Sequence, residues 1–190
     1  MKYPLLFQAF KKHIDLPIET YLDLEKELEV KTLKKKEFVI QEGEVIKFLP
    51  FINKGLMVNY RFDNSGNRHV LQIRSEGSWL GDLYSFFSGN PTQFNIQTYS
   101  KTELLLISHE TFDRLTEKYP IFERFFRISI QNAYVSTLNQ VFNLHSLSAE
   151  ERYLKLIKDV PKLVQDVPDY LIASYLNITP QSLSRIRKHL

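Results

Sequence analysis

The chain has no cysteine. That excludes disulfides, thiolate metal sites, iron–sulfur centres and a cysteine nucleophile. It fits a reducing compartment, and a cytoplasmic protein is the expectation. No apolar run approaches the roughly 20 residues of a membrane-spanning helix, so no membrane partner is expected. The first residues, Met-Lys-Tyr-Pro-Leu-Leu-Phe-Gln, soon meet Lys11 and Lys12 and lack the apolar core of a signal peptide. A strong charge of either sign is missing too: 190 residues carry a net charge of +3, so any affinity for nucleic acid has to come from local clustering. The five histidines, at 13, 69, 109, 145 and 189, show no metal-ligand spacing and no nucleophile motif. A glycine-rich phosphate loop is also absent, so neither an enzyme nor a metal protein is expected.

Glycine is scarce and unevenly placed. All six lie between Gly43 and Gly89. Glycine supplies the turns and bulges of β-structure, so the middle third reads as turn-dense strands and the two flanks as mainly helical. Phe38 to Ile40, Phe51 to Tyr60 with a bend at Gly55, His69 to Ile73, Phe94 to Thr98 and Leu104 to Ile107 read as strands, with turns at Glu42-Gly43-Glu44 and Asn64-Ser-Gly-Asn67. Many short strands suggest a small barrel or sandwich. Pro4 to Lys12 and Pro17 to Leu28 read as helices with proline in the first turn.

Charge is locally absent as well. From Ile128 to Ala149, 22 residues contain no Asp, Glu, Lys or Arg, and no Gly or Pro. The stretch reads as a helix with two apolar stripes: Ile130, Tyr134, Val141 and Leu144, then Val135, Leu138 and Phe142. A solvated helix normally shows a charged face, and Gln131, Asn132, Asn139, Gln140 and Asn143 make this one too polar for a bilayer. A helix buried on more than one side is expected. Either one side meets the β-domain and the other a second copy of the chain, or the helix lies inside a monomeric core. Charges return at Glu150. Arg152 to Lys158 reads as a short amphipathic helix, and Asp159 to Pro168 as a proline-punctuated connector.

The last twenty residues carry the most specific signal. They read as two short helices joined by a tight turn, the second one basic, as in a helix-turn-helix DNA reader. Ala173 is small enough for two helix axes to approach. Ile172, Leu176, Ile178, Leu183 and Ile186 have the spacing of a shared apolar core. Asn177 tolerates the left-handed conformation that the turn needs. Thr179 caps the second helix, and Pro180 takes its first position. In that register Gln181, Ser182 and Arg185 face outward near the helix start, where Gln suits adenine and Arg suits guanine. Ser184, Arg187, Lys188 and His189 are placed for phosphates. A structural helical hairpin with a solvated basic end is the bland alternative.

A β-roll, a long uncharged helix and a terminal helix-turn-helix together resemble the Crp/Fnr family of bacterial transcription regulators. The resemblance covers nearly the whole chain. It rests on Glu42-Gly43, on Phe51-Ile-Asn-Lys-Gly55, on Gly77 to Gly81-Asp82-Leu83, and on the Ala173–Arg185 reader with Leu183-Ser-Arg-Ile186. It implies an α+β fold with an N-terminal β-roll of the double-stranded β-helix (jelly-roll-like) type flanked by helices. Residues 1–118 would be a cyclic-nucleotide-binding-like domain, residues 119–147 a long dimerisation helix, and residues 148–190 the helix-turn-helix domain. The implied partners are double-stranded DNA, read through Thr179, Gln181, Ser182, Ser184, Arg185, Arg187 and Lys188, and a second copy of the chain, paired through the 128–147 helix.

The departures from the family matter equally. Members that bind cyclic nucleotides hold the ribose with a Gly-Glu and the phosphate with an Arg-Ser or Arg-Thr pair, because a fixed guanidinium offsets the cost of desolvating the anion. Here Gly81-Asp82 stands at the first, and Thr92 and Gln93 stand at the second, followed by Phe94. No positive charge lies between Arg74 and Lys101. Tight binding of cAMP or cGMP is therefore not expected. The candidate effector pocket comprises Gly81, Asp82, Leu83, Tyr84, Thr92, Gln93, Phe94 and Thr137. It would hold an unidentified weakly polar effector or be collapsed into core. The chain stops at Leu190, and many relatives add a β-wing around the reader, so fewer phosphate contacts and a shallower salt dependence are implied. The competing function is a ligand-binding or protein-interaction module that keeps the regulator shape without specific DNA binding.

Overall fold

The computed structural model describes residues 1–160 and 167–190. Among these residues seven strands form two antiparallel sheets. They are β1 (Glu29–Leu33), β2 (Phe38–Ile40), β3 (Phe48–Lys54), β4 (Leu56–Phe62), β5 (Arg68–Ser75), β6 (Asn95–Thr98) and β7 (Thr102–Ser108). One sheet has the order β1-β7-β3 and the other β2-β6-β4-β5. Leu33, Ile40, Ile52, Met57, Ile96, Leu104 and Leu106 fill the space between them. This is a β-roll, and the protein is α+β.

The run Leu104-Leu-Leu-Ile107 shows why some strands lack the usual alternation. Leu104 and Leu106 face the interior of the roll, while Leu105 and Ile107 are buried under helices on the outer face. A strand covered on both sides is apolar throughout. On β4, Met57 turns inward, and Leu56, Val58 and Tyr60 turn outward into a separate core. Its register with β5 shifts between Asn59 and Tyr60, which face Gln72 and Val70. That bulge brings Val70 and Ile73 to the same outer core although they are three residues apart.

Helices α1 (Pro4–Lys11) and α2 (Ile18–Lys26) pack outside the first sheet with α4 (His109–Lys118) and the start of α5 (Pro120–Ser146). Phe10 of α1 lies 4.3 Å, ring to ring, from Phe125 of α5. Pro4 sits at the first turn as expected, but Pro17 precedes its helix as the N-cap. The short helix α3 (Leu83–Ser88) starts at an Asp82 cap and stops at Gly89, whose φ is +71°.

The long helix differs from expectation in extent and in surroundings. It begins at Pro120, and the charge-free run is not one helix up to Ala149. Leu147 is extended and Ser148 starts α6 (Ala149–Asp159) through a reciprocal capping box with Glu151. The sequence Ser148-Ala-Glu-Glu151 is a start signal strong enough to interrupt an apolar pattern. Within one chain only Phe122 and Phe125 of α5 are buried. Tyr134, Val135, Leu138, Val141 and Phe142 are exposed, so the helix does not run through a monomeric core. The expected connector at Asp159 to Pro168 falls mostly outside the described residues. After it come α7 (Asp169–Tyr175) and α8 (Pro180–His189).

Candidate nucleic-acid interface and effector cavity

The two terminal helices form as their residues dictate. Asn177 turns the chain with φ +54°. Thr179 caps α8 by accepting from the Ser182 amide at 3.2 Å, and Pro180 takes the first helical position. Ile172, Ala173, Leu176 and Leu183 are buried, with Ile178 and Ile186 packed at the edge of the same core. A side chain larger than that of Ala173 would push the helices apart.

The outer face carries most of the side chains expected to read DNA. Thr179, Gln181, Ser184, Arg185 and Lys188 are exposed, and Ser182 is half-buried. Gln181 and Arg185 are one turn apart on one face. Arg185 donates to the Ser182 hydroxyl at 3.3 Å, which holds its guanidinium along the helix start. Arg187 is turned the other way. It donates to the Tyr153 hydroxyl at 2.8 Å and to the Asp169 carboxylate at 2.7 Å, clamping α8 to α6 and α7.

Two residues that tie the terminal helices to the rest of the chain give no sign of it in the sequence. The Ser174 hydroxyl donates to the Arg68 carbonyl at 2.9 Å and accepts from the Val70 amide at 3.0 Å, so α7 is stitched to the outer strand β5. Leu171, Ile172 and Ala173 share one buried core with Val58, Tyr60, Val70 and Tyr99. Burial there pushes the Tyr60 and Tyr99 hydroxyls up, so both stay neutral. Arg152 donates to the carbonyls of Leu147 at 2.6 Å and Leu176 at 3.0 Å, joining the end of α5 to the end of α7. A serine in a short helix and an arginine on an amphipathic one read as solvated until their tertiary partners are known. Replacing Ser174 by alanine strands a strand amide and a carbonyl. A loss of about 1–3 kcal/mol and faster hydrogen exchange at the Val70 amide are expected. An unchanged exchange rate at Val70 would mean that α7 does not dock there in solution.

The expected effector residues divide into two groups. Gly81, Leu83 and Thr137 line a cavity of about 310 Å³ between the roll and α5. Asp82, Tyr84, Thr92, Gln93 and Phe94 do not line it. Asp82 caps α3 by accepting from the Tyr84 and Ser85 amides, and Thr92 is buried with its hydroxyl donating to the other Asp82 oxygen at 2.6 Å. The loop is thus held by its own hydrogen bonds, with a carboxylate at its centre. Tyr84 and Gln93 are exposed, and Phe94 is half-buried.

Residues not anticipated in the cavity include His13, Gln72, Arg74, Phe125, Phe126 and Gln140. Gln140 donates to the Leu71 carbonyl at 3.3 Å, the one side-chain hydrogen bond found between α5 and β5 among the described residues. A second cavity of about 490 Å³ lies across α5, toward α6 and the reader, and shares Arg74, Asn132, Ser136 and Gln140 with the first.

Comparison with known proteins agrees with this geometry. Residues 30–119 match the cyclic nucleotide-binding domain family. No curated protein sequence matches the chain. Among solved structures, the c-di-GMP responsive global regulator CLP of Xanthomonas campestris is 15% identical, with a TM-score of 0.74 and 91% of each chain covered. FixK2 of Bradyrhizobium japonicum is 15% identical, with a TM-score of 0.77 over 86% of this chain and 84% of that one. The catabolite activator protein of Thermus thermophilus is 16% identical, with a TM-score of 0.61 over 93% and 84%. Roll, long helix and terminal helices thus follow one another as they do in these regulators: residues 30–119 match the cyclic nucleotide-binding domain family, and the chain as a whole has the fold of the Crp/Fnr-type regulators.

Proposed function

We propose that this protein is a DNA-binding transcription regulator that acts as a homodimer through the 128–147 helix. Residues 1–118 serve as sensor, 119–147 as pairing helix and 148–190 as reader. The observation that carries the reading is the exposed face of α8, where Gln181 and Arg185 stand one turn apart on a capped helix with no acidic residue in its first turn. Thr179, Ser182, Ser184 and Lys188 surround them as backbone contacts, while Arg187 serves first as the clamp to Tyr153 and Asp169. Two readers on a two-fold dimer would meet major grooves about one helical turn, roughly 34 Å, apart.

Fluorescence anisotropy with the DNA upstream of the protein's own gene tests this. Each bidentate base contact is worth about 1–3 kcal/mol, so Arg185→Ala and Gln181→Ala should each weaken specific binding about tenfold or more. Lys188→Ala should instead weaken all sequences alike and flatten the salt dependence. Specific binding that survives both Arg185→Ala and Gln181→Ala would overturn the assignment of the reading face.

The sensor is not a cAMP or cGMP receptor in this reading. A cyclic phosphate at the loop would meet the Asp82 carboxylate and the Thr92 hydroxyl instead of a guanidinium. Micromolar cAMP affinity by calorimetry would refute this. The second reading, an interaction module without specific DNA binding, draws on the docking of α7 against β5 through Ser174. Binding to the upstream DNA no tighter than to an unrelated duplex would favour it.

A further inference from the structure

The cavity between the roll and α5 has a charge pattern of its own. Among the described residues, Arg74 and His13 are the titratable groups that line it, and no Asp or Glu does. Arg74 lies on β5 with Gln72, two residues apart and therefore on the same face of the strand. Its guanidinium donates to the Ile73 carbonyl at 3.1 Å and has no ion-pair partner among the described residues. A half-buried, unpaired guanidinium in an acid-free cavity attracts an anion.

The remaining wall is aromatic. Trp79, Phe125 and Phe126 line the cavity; Phe126 packs edge to face against both other rings, and Trp79 and Phe125 are tilted, at centroid distances of 5.3–6.3 Å. The Trp79 indole N–H is buried without a hydrogen-bond partner among the described residues. Unpaired buried polar atoms beside a cavity are rare and are explained by a group that comes to them. The volume of about 310 Å³ is at the small end of the ligand-pocket range, roughly 300–1,000 Å³.

We infer that this cavity binds a small aromatic carboxylate, its ring against Trp79 and Phe125 and its carboxylate on Arg74. The inference rests on the reading of the cavity as an effector site of a regulator. A planar carboxylate matches the guanidinium fork, and one guanidinium balances one negative charge. Arg74 also borders the second cavity, toward the terminal helices, where Arg152, Lys155 and Asp159 are the other charged residues.

The chain contains a single tryptophan, Trp79, and that residue lines the cavity. Its emission therefore reports occupancy directly. Benzoate and phenylacetate are the probes, benzamide and phenylacetamide their neutral counterparts, and cAMP the third comparison. Each acid should change Trp79 emission saturably and bind about tenfold or more tightly than its amide. Arg74→Gln should bring the acids down to the level of the amides and leave the amides unchanged. Arg74→Lys, which keeps the charge but loses the fork, should retain part of the preference. Unliganded emission like that of the wild type shows that each variant is folded. No saturable response to either acid up to about 10 mM, equal binding of acid and amide, or tighter binding of cAMP would each overturn the inference. DNA binding is measured separately. If the acids fail while specific DNA binding persists, only this inference falls; if the acids bind and DNA never does, it is the regulator reading that falls.

Discussion

Replacing Gly55 by alanine is expected to destabilise the roll by about 3 kcal/mol or more, seen as a large drop in the urea midpoint with little change in slope. Two independent causes add. Gly55 has φ +108°, a conformation that side chains with a Cβ rarely adopt. A Cβ there would also lie 2.5 Å from the Thr102 hydroxyl, 2.8 Å from the Lys101 carbonyl and 2.9 Å from the Thr102 Cα. These neighbours cannot easily give way. Thr102 is fully buried and begins β7, the central strand of its sheet, paired on both sides. Gly66, in the turn between β4 and β5, is the control: its φ is +79°, but nothing lies within 4 Å of a Cβ placed there. Gly66→Ala should show the conformational penalty alone, about 1–2 kcal/mol. Equal losses at the two sites would mean that strands β3 and β7 do not approach as described. Phe51 to Gly55 is thus a motif for a structural reason: β3 must leave its sheet and reach β4 in one residue, against the backbone of β7.

Much of this fold was legible where a residue type has one physical use. Glycines at positive φ mark the turns at Gly43, Gly55 and Gly66, and the strands lie between them as expected. The terminal helix pair was legible for the same reason. Asn177, Thr179 and Pro180 each meet a local backbone requirement that the sequence states by itself. Elements settled by distant partners were not legible. β1 forms because β7 pairs with it, and the exposed pattern of Glu29 to Leu33 carries little signal alone. Helix α3 depends on Asp82, which the family resemblance placed at a ribose and the fold uses as a cap. Arg74 went unnoticed as a cavity residue because a bulge at Leu71 decides which face of β5 it occupies, and no sequence pattern states a bulge. Of the cavity's aromatic wall, Phe125 and Phe126 come from α5 residues before the charge-free run, and Trp79 comes from the loop after β5.

Replacing Leu138 by glutamate is expected to turn the protein into a monomer at micromolar concentration, measured by light scattering, and to weaken specific DNA binding about a hundredfold or more. The expectation follows from the proposed dimer. Leu138, Tyr134 and Phe142 are 50%, 65% and 68% exposed in the single chain, and Val135 and Val141 beside them are about half exposed. They stand one turn apart along α5, so they form a continuous apolar face on a helix about 40 Å long. A monomer rarely leaves such a surface in water. Both readers of a dimer must reach one DNA duplex, so the two copies of α5 must run in parallel, and each residue then meets its own counterpart across the two-fold axis. A glutamate at 138 would therefore face a glutamate, in the middle of an interface with no cation to balance either. DNA affinity would fall with the dimer, because the second half-site then binds without the effective concentration that the first supplies. Ser65→Glu adds the same charge to the exposed turn between β4 and β5 and should leave both assembly and DNA binding intact. A Leu138→Glu chain that stays dimeric and keeps its DNA affinity would show that α5 is not the pairing surface. The exposed stripe would then need another partner, and the two readers another way to reach the same duplex.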